Sequence, residues 1–160
     1  MTTGVKLPPL ALVIDDDHLI GQLCSRALER SGLQVICCDT SVKAANLMQL
    51  HSHRIVWILA DVVLAAPGTK LVSSRTGQEG NGARLLPLLK YVCPSAIAVQ
   101  MSAYSVAELA EMGYKVEVPH FLQKPFTPET LRALMKQLLP HLHIPSDPVR
   151  RDTEEVEWVG

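Results

Sequence analysis

The chain has almost no net charge and no apolar run long enough to cross a membrane. Its 160 residues carry 15 Lys and Arg against 16 Asp and Glu, which gives a formal net charge of -1. This balance leaves no general electrostatic attraction for nucleic acid or for an anionic membrane surface. No stretch approaches the roughly 18 apolar residues of a membrane span, and the first ten residues lack a signal-peptide core. We therefore expect a cytoplasmic protein with no membrane insertion and no direct nucleic-acid binding.

Cysteine motifs are also absent. The four cysteines form neither a CxxC pair nor a Cys/His ligand spacing, so a redox motif and a zinc site are not indicated. Their neighbours in sequence are apolar. We predict that they are reduced core residues: Cys24, Cys37, Cys38 and Cys93.

The length fits one domain, and a 48% hydrophobic composition allows it a substantial core. We assign residues 1–9 to an N-terminal extension and 10–140 to the domain. The remaining residues, 141–160, are rich in proline and charge, and we expect a polar tail. For Trp158 we expect a frayed end in preference to docking on a partner or on its own domain. This tail is too short for a second domain.

Short apolar runs alternate with amphipathic segments along the domain. Runs bounded by polar or turn residues predict strands, and apolar residues at a spacing of three to four predict helices. Thr127 followed by Pro128 and Glu129 is a typical helix start. The predicted strands are 10–14, 33–38, 55–60, 96–101 and 116–123, the last starting near 120, and the predicted helices are 18–31, 41–50, 83–92, 106–112 and 127–140.

Five strands that are apolar almost throughout favour a parallel sheet covered on both faces, the doubly wound α/β architecture. In such a sheet all carboxyl ends meet at one edge, where ligands bind. The polar residues that follow the strands should therefore converge. They are Asp15, Asp16 and Asp17 after the first strand, Asp61 after the third, Ser102 after the fourth and Lys124 after the fifth.

This convergence has a chemical use. Several carboxylates at one point repel one another, and a divalent cation such as Mg²⁺ together with the ammonium of Lys124 would offset that repulsion. A carboxylate is also a nucleophile toward phosphorus, and a metal ion and a lysine stabilise the charge that develops in the transfer. The hydroxyl of Ser102 would donate to the phosphoryl group.

Four motifs make the sequence resemble the receiver domains of two-component response regulators. They are "LVIDDDHLI", "WILADVVL", "VQMSAYS" and "FLQKPFTPETL", and the resemblance runs from about Leu10 to Leu139. It implies a flavodoxin-like (βα)5 fold with strand order 2-1-3-4-5 and a cis peptide bond before Pro125. The roles it implies are Asp61 as phosphoacceptor, Asp15, Asp16 and the carbonyl of Val63 as Mg²⁺ ligands with Asp61, Lys124 as phosphate-binding lysine, and Ser102 and Phe121 as switch residues.

The resemblance further implies a signalling protein rather than a metabolic enzyme. It would take a phosphoryl group onto Asp61 from a histidine kinase or a histidine phosphotransfer protein, and it would signal by altered binding of a downstream protein. A homodimer through the helices predicted at 106–112 and 127–140 is a further implication. One departure is the connection over 64–81, which is far longer than the usual two to six residues of a βα loop. Its Lys70 and Arg75 either reach the phosphoryl group or belong to a surface insertion.

Two other hypotheses about function stay open on the sequence alone. One is a receiver-like interaction module that works without phosphorylation, with the long loop blocking Asp61. The other is a haloacid dehalogenase-type phosphatase, because Asp15 and Asp17 form a D-x-D pair. That family needs an acidic strand end after the lysine, whereas Asp147 and Asp152 lie in the polar tail.

Overall fold

The computed structural model of the chain describes residues 7–62, 91–114, 116, 118–140 and 157–159. The loop predicted over 64–81 lies outside these residues. The helix predicted over 83–92 does too, except that residues 91 and 92 are helical. The strands are β1 (Leu10–Ile14), β2 (Gln34–Cys38), β3 (Ile55–Asp61), β4 (Ile97–Ser102), β5 (Phe121–Gln123) and β6 (Glu157–Val159), and the helices are α1 (His18–Glu29), α2 (Ser41–His51), α3 (Val106–Glu111) and α4 (Pro128–Leu138).

The strands form a parallel sheet in the order β5-β4-β3-β1-β2-β6. The first five strands confirm the predicted fold class and the predicted order 2-1-3-4-5. Every residue of β1 is buried, and β3 is buried apart from partly exposed Val56. Burial on both faces is the reason that these strands read as continuous apolar runs in the sequence.

The sixth strand differs from the prediction. The polar tail predicts a frayed end around Trp158, but Glu157–Val159 pairs in parallel with β2. The prediction weighed the polar composition of the tail, whereas pairing at a sheet edge depends on the unpaired N–H and C=O groups that the edge strand offers. A segment of three residues is enough to add a strand there.

Helices cover the two faces of the sheet. Helices α1 and α4 pack on one face against alternate strand residues such as Val13 and Leu59, and α2 packs on the other face against Leu12 and Ile58. All four cysteines are buried and free, as predicted. Burial raises the pKa of the Cys24 thiol to about 12, so this thiol is unreactive at neutral pH.

The helix ends follow local sequence signals. Asp17, Thr40, Ser105 and Thr127 each accept a backbone N–H at the start of a helix, and Pro128 occupies the first helical position of α4. A left-handed Gly32 follows α1, where a residue with a Cβ would be strained. None of the helices within the described ranges is long and apolar enough to cross a membrane.

Candidate functional site at the carboxyl edge of the sheet

Acidic side chains from two adjacent strands meet where those strands end. Asp15 and Asp16 follow β1, and Asp61 is the last residue of β3. One carboxylate oxygen from each lies within 4.8 Å of the others. Because β1 and β3 are neighbours in a parallel sheet, their carboxyl ends come together as the strand pattern predicts.

Lys124 bridges two of these carboxylates. Its Nζ donates to Asp15 Oδ2 at 2.7 Å and to Asp61 Oδ2 at 2.9 Å. The lysine follows β5, two strands away from β3, and its side chain reaches back across the end of β4 to the acids. The strand pattern predicts Lys124 at this edge, but it does not predict that one ammonium joins Asp15 to Asp61.

The site is largely withdrawn from water. Asp15 is 1% exposed, Asp61 is 6% exposed, and the Lys124 side chain is 13% exposed. Burial raises the pKa of Asp15 to about 6, although hydrogen bonds from Lys124 and from the Asp17 N–H act in the opposite direction. Burial alone would lower the pKa of Lys124, but its hydrogen bonds to Asp15 and Asp61 outweigh that effect and raise it.

The backbone fixes the position of Asp15. Its N–H donates to the carbonyl of Cys38 at 3.0 Å, and its Oδ1 accepts the N–H of Asp17 at 2.8 Å. The turn after β1 therefore aims one carboxylate oxygen at its own backbone and the other at Lys124. This arrangement leaves the carboxylate little freedom to move away from the lysine.

Asp17 serves a different purpose from its two neighbours. It is exposed, and its Oδ1 accepts the N–H of Leu19 at 2.9 Å as the N-cap of α1. The acidic group consists of Asp15, Asp16 and Asp61. A role for Asp17 in a D-x-D pair, which the phosphatase reading requires, finds no support in this geometry.

Ser102 and Phe121 lie on the strands beside the acids. Ser102 is the buried last residue of β4, its Oγ accepts the Tyr104 N–H at 3.1 Å, and its carbonyl accepts the Lys124 N–H at 2.8 Å. Phe121 is partly buried and packs against the cluster of Val62 and Leu109. Val63, whose carbonyl was predicted to bind the metal, lies outside the described residues. The Lys124–Pro125 bond is cis, as the resemblance implied.

Among the residues that the structure describes, the site has more carboxylates than ammonium groups. The Lys124 ammonium lies beside a group of three carboxylates, and like charges about 4 Å apart repel by about 4 kcal/mol at an effective dielectric constant of 20. The donors are all oxygen atoms, which is the ligand type that Mg²⁺ prefers, and Mg²⁺ commonly uses one or two carboxylates together with water and phosphate oxygens. The donor set and the surplus negative charge therefore fit a divalent cation.

Comparisons with known proteins agree with this fold. No family model matches the chain, and no curated protein matches it in sequence. Solved structures do. A response regulator receiver domain protein from Clostridium thermocellum aligns with a TM-score of 0.63 at 20% identity, over 83% of this chain and 95% of that one. The chemotaxis protein CheY4 of Vibrio cholerae aligns with a TM-score of 0.63 at 21% identity, over 83% of this chain and 100% of that one.

A third similar structure is a response regulator of Burkholderia pseudomallei that contains a phosphorylated aspartic acid, a calcium ion and citrate. It aligns with a TM-score of 0.59 at 23% identity, over 78% of this chain and 65% of that one. At these identities the matches show the fold. The chain has the fold of response regulator receiver domains, and the resemblance predicted from its motifs is confirmed at that level.

Proposed function

We propose that the chain is a receiver that accepts a phosphoryl group on Asp61 with Mg²⁺ and signals by altered binding of a partner protein. The observation that carries this proposal is the double contact of Lys124 with Asp15 and Asp61 inside a group of three carboxylates. A lysine and a divalent cation around one buried carboxylate are the components that phosphoryl transfer to an aspartate requires.

Each described residue has a part in the proposed transfer. An oxygen of Asp61 attacks phosphorus in a phosphohistidine of a histidine kinase or a phosphotransfer protein, the N–P bond breaks, and the imidazole leaves with the electron pair. Lys124 is already within hydrogen-bond distance of Asp61 Oδ2 and would donate to the arriving phosphoryl oxygens. The Ser102 hydroxyl would supply a second donor.

Asp15, Asp16 and Asp61 would hold the Mg²⁺ ion, with the carbonyl of Val63 as a further predicted ligand. When bound, the ion neutralises charge on the phosphoryl oxygens during the transfer. A new hydrogen bond from Ser102 to the phosphoryl group would shift the end of β4. Phe121 on the neighbouring strand β5 would then change its position and so alter the surface that a partner binds. Residues 10–140 would form this receiver, which we place in the cytoplasm and which acts in signalling rather than in metabolic turnover.

The test is the intact mass of the full chain after incubation with acetyl phosphate, with Mg²⁺ or with EDTA. We expect one phosphoryl group per chain in Mg²⁺, none in EDTA and none in Asp61→Asn. Asp39→Asn is the matched control, because Asp39 follows β2 as a partly exposed strand-end aspartate paired with Lys43. It should be modified as the unchanged chain is.

Two results would contradict the proposal. Modification of Asp61→Asn to the same extent as the unchanged chain would mean that another residue accepts the group. No modification of the unchanged chain, by acetyl phosphate or by a histidine kinase with its ATP, would favour the interaction module that works without phosphorylation.

A further inference from the structure

The outer edge of β2 is covered by the far end of the same chain. Ile36, Cys37 and Cys38 pair with Glu157, Trp158 and Val159, in that order. Without β6, β2 would be an edge strand that presents unpaired backbone groups along buried residues. The pairing adds a strand to a finished five-stranded sheet, which is how β-augmentation sites bind extended peptides.

Two hydrogen bonds to the residues that flank β1 show which backbone groups of β2 point outward. The Gln34 N–H donates to the carbonyl of Pro9, and the Cys38 carbonyl accepts the N–H of Asp15. Both groups therefore face β1. Because successive residues of a strand direct their N–H and C=O groups to alternate sides, the groups of Val35 and Cys37 face β6.

This alternation fixes the pattern of the β6 pairing as well. In a parallel pair a residue bonds to the residues before and after its partner. Cys37 is the partner of Trp158, so its N–H is directed at the Glu157 carbonyl and its carbonyl at the Val159 N–H. Glu157 and Val159 therefore direct their N–H groups to β2, and Trp158 directs its own away from β2.

The topology allows the chain to reach this edge by itself. Helix α1 connects β1 to β2, and α4 leads from β5 toward β6 on the same face and in the same direction across the sheet. A connection from α4 to β6 over this face would have the same hand as the α1 crossover, as the handedness rule for parallel strands requires. The 16 residues 141–156 can span about 50 Å, whereas β5 and β6 are about 24 Å apart.

We propose that the edge of β2 is a strand-docking site whose occupant is the C-terminal segment Glu157–Val159 of the same chain, held by backbone pairing. The segment acts as a ligand attached in cis, and its release would expose the outward groups of Val35 and Cys37 to another extended strand. This role of the C-terminal tail goes beyond the phosphoryl chemistry proposed for Asp61 and does not depend on it.

The experiment is amide hydrogen exchange on the full chain with proline and alanine at each position of β6. Proline removes one N–H, whereas alanine at the same position keeps it and controls for the lost side chain. We expect Glu157→Pro and Val159→Pro to speed exchange of the Cys37 amide about tenfold or more relative to Glu157→Ala and Val159→Ala. Trp158→Pro should match Trp158→Ala, because proline is tolerated on an edge strand when the missing N–H faces outward.

The amides of Ile36 and Cys38 face β1 and are internal controls that should keep their protection in every variant. Cys37 exchange that is the same in all six variants and the unchanged chain would overturn the proposal. The proposal also fails if all three proline variants lose Cys37 protection equally. Trp158→Pro would then act like Glu157→Pro and Val159→Pro, which contradicts backbone pairing in this register. A third contrary result is Cys37 protection that rises with protein concentration, together with a dimer in sedimentation. This result would mean that a second copy of the chain occupies the site, and it would overturn the proposal.

Discussion

The two ends of the sheet each contain a partly buried cation, and the two cations have different surroundings. At the amino edge Arg54 donates to the Pro8 carbonyl at 3.0 Å through Nη2 and to the side chain of Gln34. It thereby links the segments that precede β1 and β3 to the first residue of β2, using neutral acceptors. At the carboxyl edge Lys124 meets two carboxylates of a group of three.

This difference distinguishes a structural contact at the amino edge from a candidate cation-binding site at the carboxyl edge. The acceptors described for Arg54 are neutral oxygen atoms, so they add no negative charge that would attract a cation to the amino edge. Among the described residues, the carboxyl edge has more anionic than cationic side chains in a buried place, and without a bound cation this arrangement costs free energy. We expect the effects of substitutions at the carboxyl edge to depend on Mg²⁺ and those of substitutions at the amino edge to be independent of it.

The largest effect should come from Lys124→Met. Removing the ammonium leaves Asp15 and Asp61 buried beside each other, and breaking a buried pair in this way costs about 3–5 kcal/mol. Urea unfolding in EDTA should show the loss. Added Mg²⁺ should recover part of it, because the ion supplies the missing positive charge. A loss below about 1 kcal/mol in EDTA would contradict this view of Lys124.

The second largest effect should come from Asp15→Asn, which we expect to stabilise the protein. Burial raises the pKa of Asp15 to about 6 from its ordinary value of 3.8, so between these pH values the folded chain binds a proton that the unfolded chain has released. Stability should therefore fall as the pH rises from about 4 to about 6. Asp15→Asn, which carries no charge, should be more stable than the unchanged chain by about 2–3 kcal/mol above pH 6 in EDTA.

This gain should shrink to near zero below about pH 4, where the carboxyl is protonated in both states. Unfolding curves at pH 4, 5, 6 and 7 measure it. A gain from Asp15→Asn that is equal at pH 4 and pH 7 would show that charge is not its cause. The same variant should lose affinity for Mg²⁺, so stability and function oppose each other at this residue.

A smaller effect is expected at the amino edge. Arg54→Met removes hydrogen bonds to Pro8 and Gln34 and leaves their oxygen atoms without this donor. We expect a loss of about 1–2 kcal/mol in urea unfolding. The loss should be the same in EDTA and in Mg²⁺, in contrast to Lys124→Met. A loss that depends on Mg²⁺ would remove the distinction between the two edges.

The smallest effect should come from Lys43→Met. The Lys43–Asp39 pair also lies beside the carboxyl edge, but its side chains are 28% and 32% exposed and four residues apart on one turn. Pairs of this kind contribute at most about 1 kcal/mol. Comparison with Lys124→Met in the same urea experiment therefore shows whether the large loss of stability comes from burial of the ion pair or only from its position at the carboxyl edge.

Most of the fold and the identity of the acidic group could be predicted from the sequence. Strands buried on both faces show themselves as apolar runs such as residues 55–60, and the residues after such runs must meet at one edge. The caps Thr127 and Pro128 are local signals that act through neighbouring backbone groups. These features depend on nearby sequence, and for that reason sequence patterns reveal them.

The missed features depend on distant partners. β6 forms because β2 offers an open edge more than a hundred residues earlier, and a polar tail gives no sign of this. The double contact of Lys124 depends on how far the ends of β1, β3 and β5 lie from one another in three dimensions. Apolar periodicity cannot supply such a distance. The roles assigned to Asp61, Ser102, Phe121 and Val63 stay predictions.

The most direct test of the account is a Mg²⁺ titration of the unchanged chain in a calorimeter, with Asp16→Asn and Arg54→Met titrated in the same way. Asp16 is the partly exposed member of the acidic group, so its substitution disturbs the buried acids least. We predict one Mg²⁺ per chain, an affinity at least about tenfold weaker in Asp16→Asn, equivalent to about 1.4 kcal/mol, and no change in Arg54→Met. Equal affinity in all three proteins, or no binding to the unchanged chain, would contradict the claim that the carboxyl edge is a cation site.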